Sequence, residues 1–397
     1  MDDHERPQRR LGARRRRPAR RPRGRPRLAR RLSRRRLRHR ALDLPARERG
    51  PPAHRALGPP VSDLDLGRIL DAWGLPHPRA IGPASGGYQN RTSYVSCATG
   101  DFVLRVYTNV SEPSRQRFEH ELLRRLGAAG LPFAIPHPVP STSGDTLRVV
   151  DGRLAALFVR IAGEPASEDD PVARRRGAAA LADVDAALGT FDHFEVTVPS
   201  FTGALAAMHP LVDDLDAAVA ECGLDADESR RLTIALHEVA ELADPLYASL
   251  PQQVTHGDFG FGNLLLRDGT VIGYLDFEHS GWDVRAMDLA VGLYRWAGTG
   301  GLGGGAPQPM VRCDEFGRAY CARLALDIAE VAALPALMRL RAGVAFVHWT
   351  GRRRAGLATA DDTRWRARRA LLVNDWVERN GAALVARGLG WVERVDA

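Results

Sequence analysis

The 397-residue sequence contains no lysine, so all 56 of its basic residues are arginine. That absence excludes chemistry that needs a primary side-chain amine, including a Walker A phosphate loop, a pyridoxal-phosphate aldimine and a Schiff-base aldolase. Cysteine is scarce too. Cys97, Cys222, Cys313 and Cys321 contain no CxxC pair and are too few and too scattered for a disulfide scaffold or a structural zinc site. No apolar run approaches the ~20 residues that span a bilayer, and the N-terminus has charge without the hydrophobic stretch of a secretory signal. A cytoplasmic setting with no membrane partner is therefore expected.

The formal net charge is +8, but it is unevenly spread. Residues 1–60 hold 22 arginines and five acids, a net +17, so residues 61–397, with 34 arginines and 43 acids, carry −9. The basic segment, with arginine runs at 14–17 and 34–36 among prolines, cannot bury a core and is expected to be disordered. One reading is an arm whose arginines neutralise nucleic-acid or lipid phosphates. The preferred reading is a stretch that GC-rich DNA, biased to Arg, Pro, Ala and Gly codons, encodes in almost any frame. Nucleic acid is expected as a partner only through residues 1–60, if at all.

Order is expected from Val61, where Ser62 can cap a helix carrying Leu64, Leu66, Ile69, Leu70 and Trp73 mainly on one side. The stretch Ser85-Gly86-Gly87-Tyr88-Gln89-Asn90 separates two extended segments, and Thr99-Gly100-Asp101 turns the second into the apolar strand FVLRVY at 102–107. Residues 112–129 place Phe118, Leu122, Leu123 and Leu126 on one helical face, and a hairpin is predicted about Asp151-Gly152. From Gly163 onward alanine-rich helices dominate, broken near 197–201 and at 254–277. A strand-rich lobe (61–162) thus precedes a helical lobe (163–397), with a ligand site expected between them. The glycine-dense run 298–305 follows a helix and lacks the strand–loop–helix setting of a phosphate cradle, so it is expected to be a surface loop.

The informative stretch is residues 255–278, THGDFGFGNLLLRDGTVIGYLDFE. Asp268-Gly269 predicts a two-residue hairpin turn that pairs Arg267 with Thr270, Leu265 with Ile272 and Asn263 with Tyr274. That register brings Asp276 to the same open end as Asn263, with Asp258 on the entering loop. A carboxylate and an amide oxygen are hard ligands for Mg2+. A separate carboxylate can orient a hydroxyl and accept its proton, and phosphoryl transfer needs mainly alignment and charge stabilisation. Any one of these residues alone reads as a turn-former; the set, preceded by His256-Gly257, reads as a site. His237 and Glu241 begin like a zincin helix but lack the second histidine.

HGDxxxxN followed by DFE resembles the aminoglycoside phosphotransferase superfamily, which includes choline/ethanolamine kinases and type II homoserine kinases. The resemblance implies an α+β, protein-kinase-like bilobal fold, with a small mixed β-sheet lobe and a larger, mainly helical lobe. It implies Asp258 as catalytic base, Asn263 and Asp276 as Mg2+ ligands, and Glu278 at the substrate or metal edge. Asp288, in GWDVRAMDLA at 281–290, resembles the aspartate that braces the loop containing His256. Ser85, Gly86, Gly87 and Asn90 resemble the nucleotide-covering loop. FVLRVY resembles the strand that normally carries a phosphate-binding lysine, with Arg105 in that position, Glu121 as its expected acidic partner and Glu119 as the alternative. A cation within an apolar strand is costly unless it meets an anion.

By the same resemblance, ATP (or GTP) would lie between the lobes against the backbone near Val159 and Ile161, and the activity would be a kinase acting on a hydroxyl of a small polar molecule. The acidic body suits a cationic acceptor such as an aminoglycoside or amino alcohol, to which Trp282, Tyr294 and Trp296 could offer π faces. SGGYQN and LPFAIP also resemble homoserine kinases, which keeps homoserine and choline or ethanolamine as alternatives. A reading of another class is a non-catalytic nucleotide-binding protein, or one associated with nucleic acid through its tail.

Overall fold

Strands β1 (Ala80–Pro83), β2 (Asn90–Cys97), β3 (Gly100–Tyr107), β4 (Leu147–Val150) and β5 (Arg153–Val159) form one sheet in the order β1-β2-β3-β5-β4. Every pairing in it is antiparallel. The computed structural model describes residues 65–77, 79–84, 90–107, 113–194, 198, 205, 208–297 and 308–393, all within the unit Ala56–Ala397. The arginine-rich segment, Ser62, Ser85, Gly86, Gly87 and the run 298–305 lie outside the described residues.

Side chains alternate across a strand, and β3 uses both faces. Leu104 and Val106 join Val95, Ala155 and Leu157 under helix α1 (Leu66–Asp71), whose Ile69 and Leu70 close that small core with Trp73 and Leu75. The described cap of α1 is Asp65, whose carboxylate accepts from Arg68 N. Tyr107 faces the other way, with Ala156 and Phe158, onto Phe118, Leu122, Leu123 and Leu126 of α2 (Ser114–Gly127). Arg105 shares that second face by the same alternation.

The larger lobe contains α3 (Pro171–Leu188), α4 (Leu215–Ala220), α5 (Ala226–Ser249), α6 (Met287–Tyr294), α7 (Pro309–Cys321), α8 (Ile328–Arg354) and α9 (Ala360–Val392). Their starts follow local chemistry: Asp170 caps α3 ahead of Pro171, and Asp225 with Glu228 closes a capping box on α5. Helix α8 has an apolar window of mean hydropathy 1.3 and passes the length test for a membrane span, yet 72% of that window is buried inside the protein. Arg339 and Arg341 interrupt it, which hides it as an apolar run in the sequence. It packs against α5, α6 and α9 as the core helix of the lobe.

Two small sheets sit at the join. Strand β7 (Gln252–Thr255) pairs with β10 (Gly281–Val284), and β6 (Glu164–Pro165), β8 (Leu264–Arg267) and β9 (Thr270–Tyr274) form a second sheet in the order β6-β8-β9. Arg267 pairs with Thr270 as the turn chemistry predicts, with Asp268 at φ 49° and Gly269 at φ 71°. Beyond that the expected register is corrected. A bulge opposite Leu265 and Leu266 inserts one residue, so Leu265 meets Gly273 rather than Ile272, and Leu264 rather than Asn263 meets Tyr274. Asn263 instead ends the 3-10 turn Phe261–Asn263, and its carbonyl accepts from Leu275 N at 2.8 Å.

Candidate active site

The loop between β7 and β8 is held from below. The Asp288 carboxylate, fully buried near the start of α6, accepts from His256 N at 2.6 Å and from Gly257 N at 2.8 Å. Both oxygens are thereby spent on two backbone donors that no strand or helix satisfies, and unpaired buried amides are costly. His256 is fully buried and stacks on Tyr274 with ring centroids 4.7 Å apart. Its Nε2 lies 3.1 Å from Leu275 O, while Nδ1 lies 3.2 Å from Asp258 N. Those partners assign the Nε2–H tautomer, with Nδ1 accepting from the Asp258 amide. Gly257 sits at φ +80°, and a Cβ there would meet His279 O at 2.6 Å, so glycine is required.

This bracing aims Asp258 into the join. One carboxylate oxygen accepts from Arg341 Nη2 at 2.8 Å; the Arg341 side chain is 9% exposed and that of Asp258 36%. Burial favours the neutral acid, but Arg341, His279 and His256 pull the other way and hold the Asp258 pKa below the usual carboxylate value. Asn263 donates from Nδ2 to Asp258 O at 3.1 Å. With its nitrogen committed, the amide oxygen is the atom left to take a cation. Asp276 follows β9 in a left-handed conformation at φ 70°, a strained state for a non-glycine residue and one that gathers at functional sites. The hairpin thus brings Asp258, Asn263 and Asp276 to one end, as expected. Among the described residues no group of three or more His, Cys, Asp and Glu side chains makes a ready cation cage.

On the sheet side, Arg105 Nη1 donates to Glu119 at 3.0 Å and lies 3.9 Å from Glu278. Burial opposes the charged form, yet Glu119, Glu278 and Asp276 outweigh it and Arg105 stays protonated. The expected partner, Glu121, is corrected to Glu119. Two residues along a helix turn a side chain by about 200°, so Glu121 points away from the buried face and pairs with Arg125. Glu278 also accepts from Asn90 Nδ2 at 2.8 Å, which ties the start of β2 to the DFE segment. Burial, reinforced by Asp276, pushes the Glu278 carboxyl up to about 8 against the pull of Arg105. Arg115 of α2 donates to the carbonyls of Glu278 (3.3 Å) and Ser280 (3.2 Å), a second tie between the lobes.

The connecting chain fits closely. Val159 N and Arg160 N are committed to His137 O and Asp101 O, each at 3.0 Å. Ile161 packs onto β9 where a Cβ on Gly273 would meet it at 2.8 Å. The aromatic residues considered for a cationic acceptor are not equivalent. Trp296 is fully buried among Phe261 and Phe316, whereas Tyr294 lies 5.8 Å from the Arg341 guanidinium and 5.7 Å from that of Arg369.

Sequence reasoning missed Arg341, 83 residues from Asp258 along the chain, because it reads as one polar position in an apolar helix. A cation on the buried side of such a helix is the signal that finds it. His279 was also passed over, although it adjoins the DFE motif.

An antiparallel five-stranded lobe set over a braced HGD loop defines a protein-kinase-like phosphotransferase. The chain belongs to the phosphotransferase enzyme family, whose model (APH) matches residues 80–334. It is similar to a homoserine kinase of Methylobacillus glycogenes, with 26% identity over 292 residues, 74% of this chain and 82% of the relative. Its fold is like that of a microcompartment-associated aminopropanol kinase (TM-score 0.63, 19% identity, 82% of this chain and 98% of the other). It is also like that of an amicoumacin kinase solved with AMP-PNP and Ca2+ (TM-score 0.58, 14% identity, 78% and 92%).

Proposed function

We propose that this chain transfers the γ-phosphoryl group of ATP to the hydroxyl of a small metabolite. A bond forms between the acceptor oxygen and phosphorus, the bond to the β-phosphate oxygen breaks, and the hydroxyl proton passes to Asp258. The observation that carries the reading is the double grip of Asp288 on His256 N and Gly257 N, which fixes the loop presenting Asp258 and, through it, Asn263. A carboxylate with a lowered pKa is ionised throughout the neutral range. It suits a reaction whose loose transition state asks for orientation more than for strong basicity.

The Asn263 amide oxygen and the Asp276 carboxylate are hard oxygen donors that fit Mg2+. When bound, the ion neutralises charge on the transferring phosphates. Arg105, held by Glu119, supplies the cation that faces the nucleotide phosphates from the sheet lobe. The match to homoserine kinases over about three quarters of this chain makes homoserine the first acceptor to test, with GTP as the comparison donor.

Asp258→Asn keeps nucleotide binding and lowers turnover by roughly 10²–10⁴-fold. Near-normal turnover in that variant removes Asp258 from the role of base. Asp276→Ala abolishes Mg2+-dependent nucleotide binding; unchanged binding by calorimetry removes it from the metal role.

A further inference from the structure

Helix α2 holds Arg105 through Glu119, and another of its faces borders a cavity. Arg117, His120, Glu121 and Arg124 recur at i, i+3, i+4 and i+7 and so lie on one side of α2. They wall a cavity of about 330 Å³, which the proline-rich chain at His137, Pro138 and Pro140 closes from a second side, and Thr146 and Leu147 from a third, where β4 begins. Arg105, Glu119, Asp258, Asn263 and Asp276 take no part in its lining, so a molecule seated here does not occupy the candidate active site.

The volume is that of a small-molecule site. A single water takes about 30 Å³, and ligand cavities begin at roughly 300 Å³. The proline-rich wall is tied to β5, with Val159 N donating to His137 O at 3.0 Å and Val139 N to Leu157 O at 2.7 Å, so the cavity is formed in advance. Pro138, Pro140 and Leu147 give it apolar surface. Two cations join them: Arg117 and Arg124 are exposed and make no ion pair among the described residues. The one carboxylate in the lining, Glu121, is already matched by Arg125.

His120 is 6% exposed. Its Nδ1 lies 2.7 Å from Thr146 Oγ1, while its Nε2, shut off from bulk water, has no hydrogen-bond partner among the described residues. Burial, reinforced by the charge of Arg105, lowers its pKa to about 3, so the ring is neutral. With the Thr146 hydroxyl donating to Nδ1, Nε2–H is left as a donor without an acceptor, a costly state for a buried group. An acceptor oxygen brought into the cavity removes that cost.

We propose that this cavity is a second small-molecule site, distinct from the candidate active site, that takes an anion with an apolar body. Arg117 and Arg124 hold its carboxylate or phosphate, and Pro138, Pro140 and Leu147 enclose the remainder.

The test follows the imidazole signals of His120 and His137, which both line the cavity, by NMR of the full chain carrying isotope-labelled histidine. His120→Gln and His137→Gln assign them. The probes are phenylacetate, phenyl phosphate and the neutral phenylacetamide, each to about 10 mM, a range that covers fragments of this size. The expected result is that phenylacetate or phenyl phosphate moves both signals saturably, at about 10-fold lower concentration than phenylacetamide. Which anion binds more tightly separates carboxylate from phosphate. Combining Arg117→Gln with Arg124→Gln removes that preference, whereas Arg379→Gln, at an exposed position of α9, keeps it. Silence of both signals with both anions overturns the inference. So do shifts confined to other histidines, equal binding of phenylacetamide, or a preference that survives the double substitution. Phosphoryl transfer plays no part in the readout, so failure here leaves the kinase reading untouched, and failure of that reading leaves this site standing.

Discussion

Replacing Arg341 with methionine keeps much of the side-chain volume in α8 and removes the cation 2.8 Å from the Asp258 carboxylate. At that separation a unit-charge pair is worth about 6 kcal/mol at an effective dielectric of 20 and about 1.5 kcal/mol in water. The Asp258 side chain is 36% exposed, so solvent screening discounts the pair toward the lower figure. A working value of about 1.5–3 kcal/mol corresponds to about one to two pKa units. The direction follows from Arg341 being the foremost group that holds the Asp258 pKa down: without it, burial dominates and the pKa rises. In the wild type the stability this carboxylate contributes is present above the unfolded pKa and lost as pH falls through the lowered folded value. In the variant that contribution disappears. The assay is the pH profile of kcat/KM, whose acid limb reports the free enzyme. The acid limb of Arg341→Met should lie about one to two units above that of the wild type, with turnover reduced at every pH because the base has lost an orienting hydrogen bond. A limb that stays in place or moves down would refute the electrostatic reasoning. A shift with unchanged plateau turnover would refute the orienting role alone.

Two further predictions concern buried carboxylates. Asp288→Ala strands the His256 and Gly257 amides and should cost about 2–5 kcal/mol of stability, read as a fall in the denaturation midpoint. Asp185 of α3, fully buried, accepts from Tyr320 Oη at 2.7 Å, and burial, reinforced by the charge of Asp288, raises its pKa well above the usual carboxylate value. Its neutral form is the favoured one, so Asp185→Asn should be tolerated within about 1 kcal/mol, while Asp185→Leu, which leaves Tyr320 Oη without its acceptor, should cost more. Glu119→Gln should weaken nucleotide binding by about 10-fold by loosening Arg105, and Glu121→Gln should leave it within about twofold; equal effects in isothermal titration would contradict the assignment of Glu119.

Local chemistry made the candidate site legible from sequence. The Asp268-Gly269 turn, the apolar flanks and the spacing of Asp258, Asn263 and Asp276 fixed which residues meet before any tertiary contact was considered. The bulge opposite Leu265–Leu266 was invisible because nothing in TVIGY marks Ile272 as an extra, unpaired residue in an otherwise regular strand. Arg105 was legible as an odd cation in an apolar strand. Its partner was not, since the choice between Glu119 and Glu121 depends on which face of α2 meets the sheet, and that is set by Phe118, Leu122 and Leu126 together. Arg341 lay furthest out of reach. It comes to Asp258 only through the packing of α8 against α6 and α9, a long-range arrangement that spacing along the chain does not encode.

Tyr320 of α7 donates to the buried Asp185 of α3, and Asp288 at the start of α6 accepts from the amides of His256 and Gly257. The loop presenting Asp258 is therefore fastened to α6 as well as to the chain beside β9 and β10, where His256 meets Leu275 O and Ser280 Oγ. During refolding, recovered activity should lag helix content and coincide with the final docking of these helices. Catalysis becomes a late-stage clock for assembly of the large lobe, and a chain caught with its helices formed but undocked would be well ordered by circular dichroism and enzymatically silent.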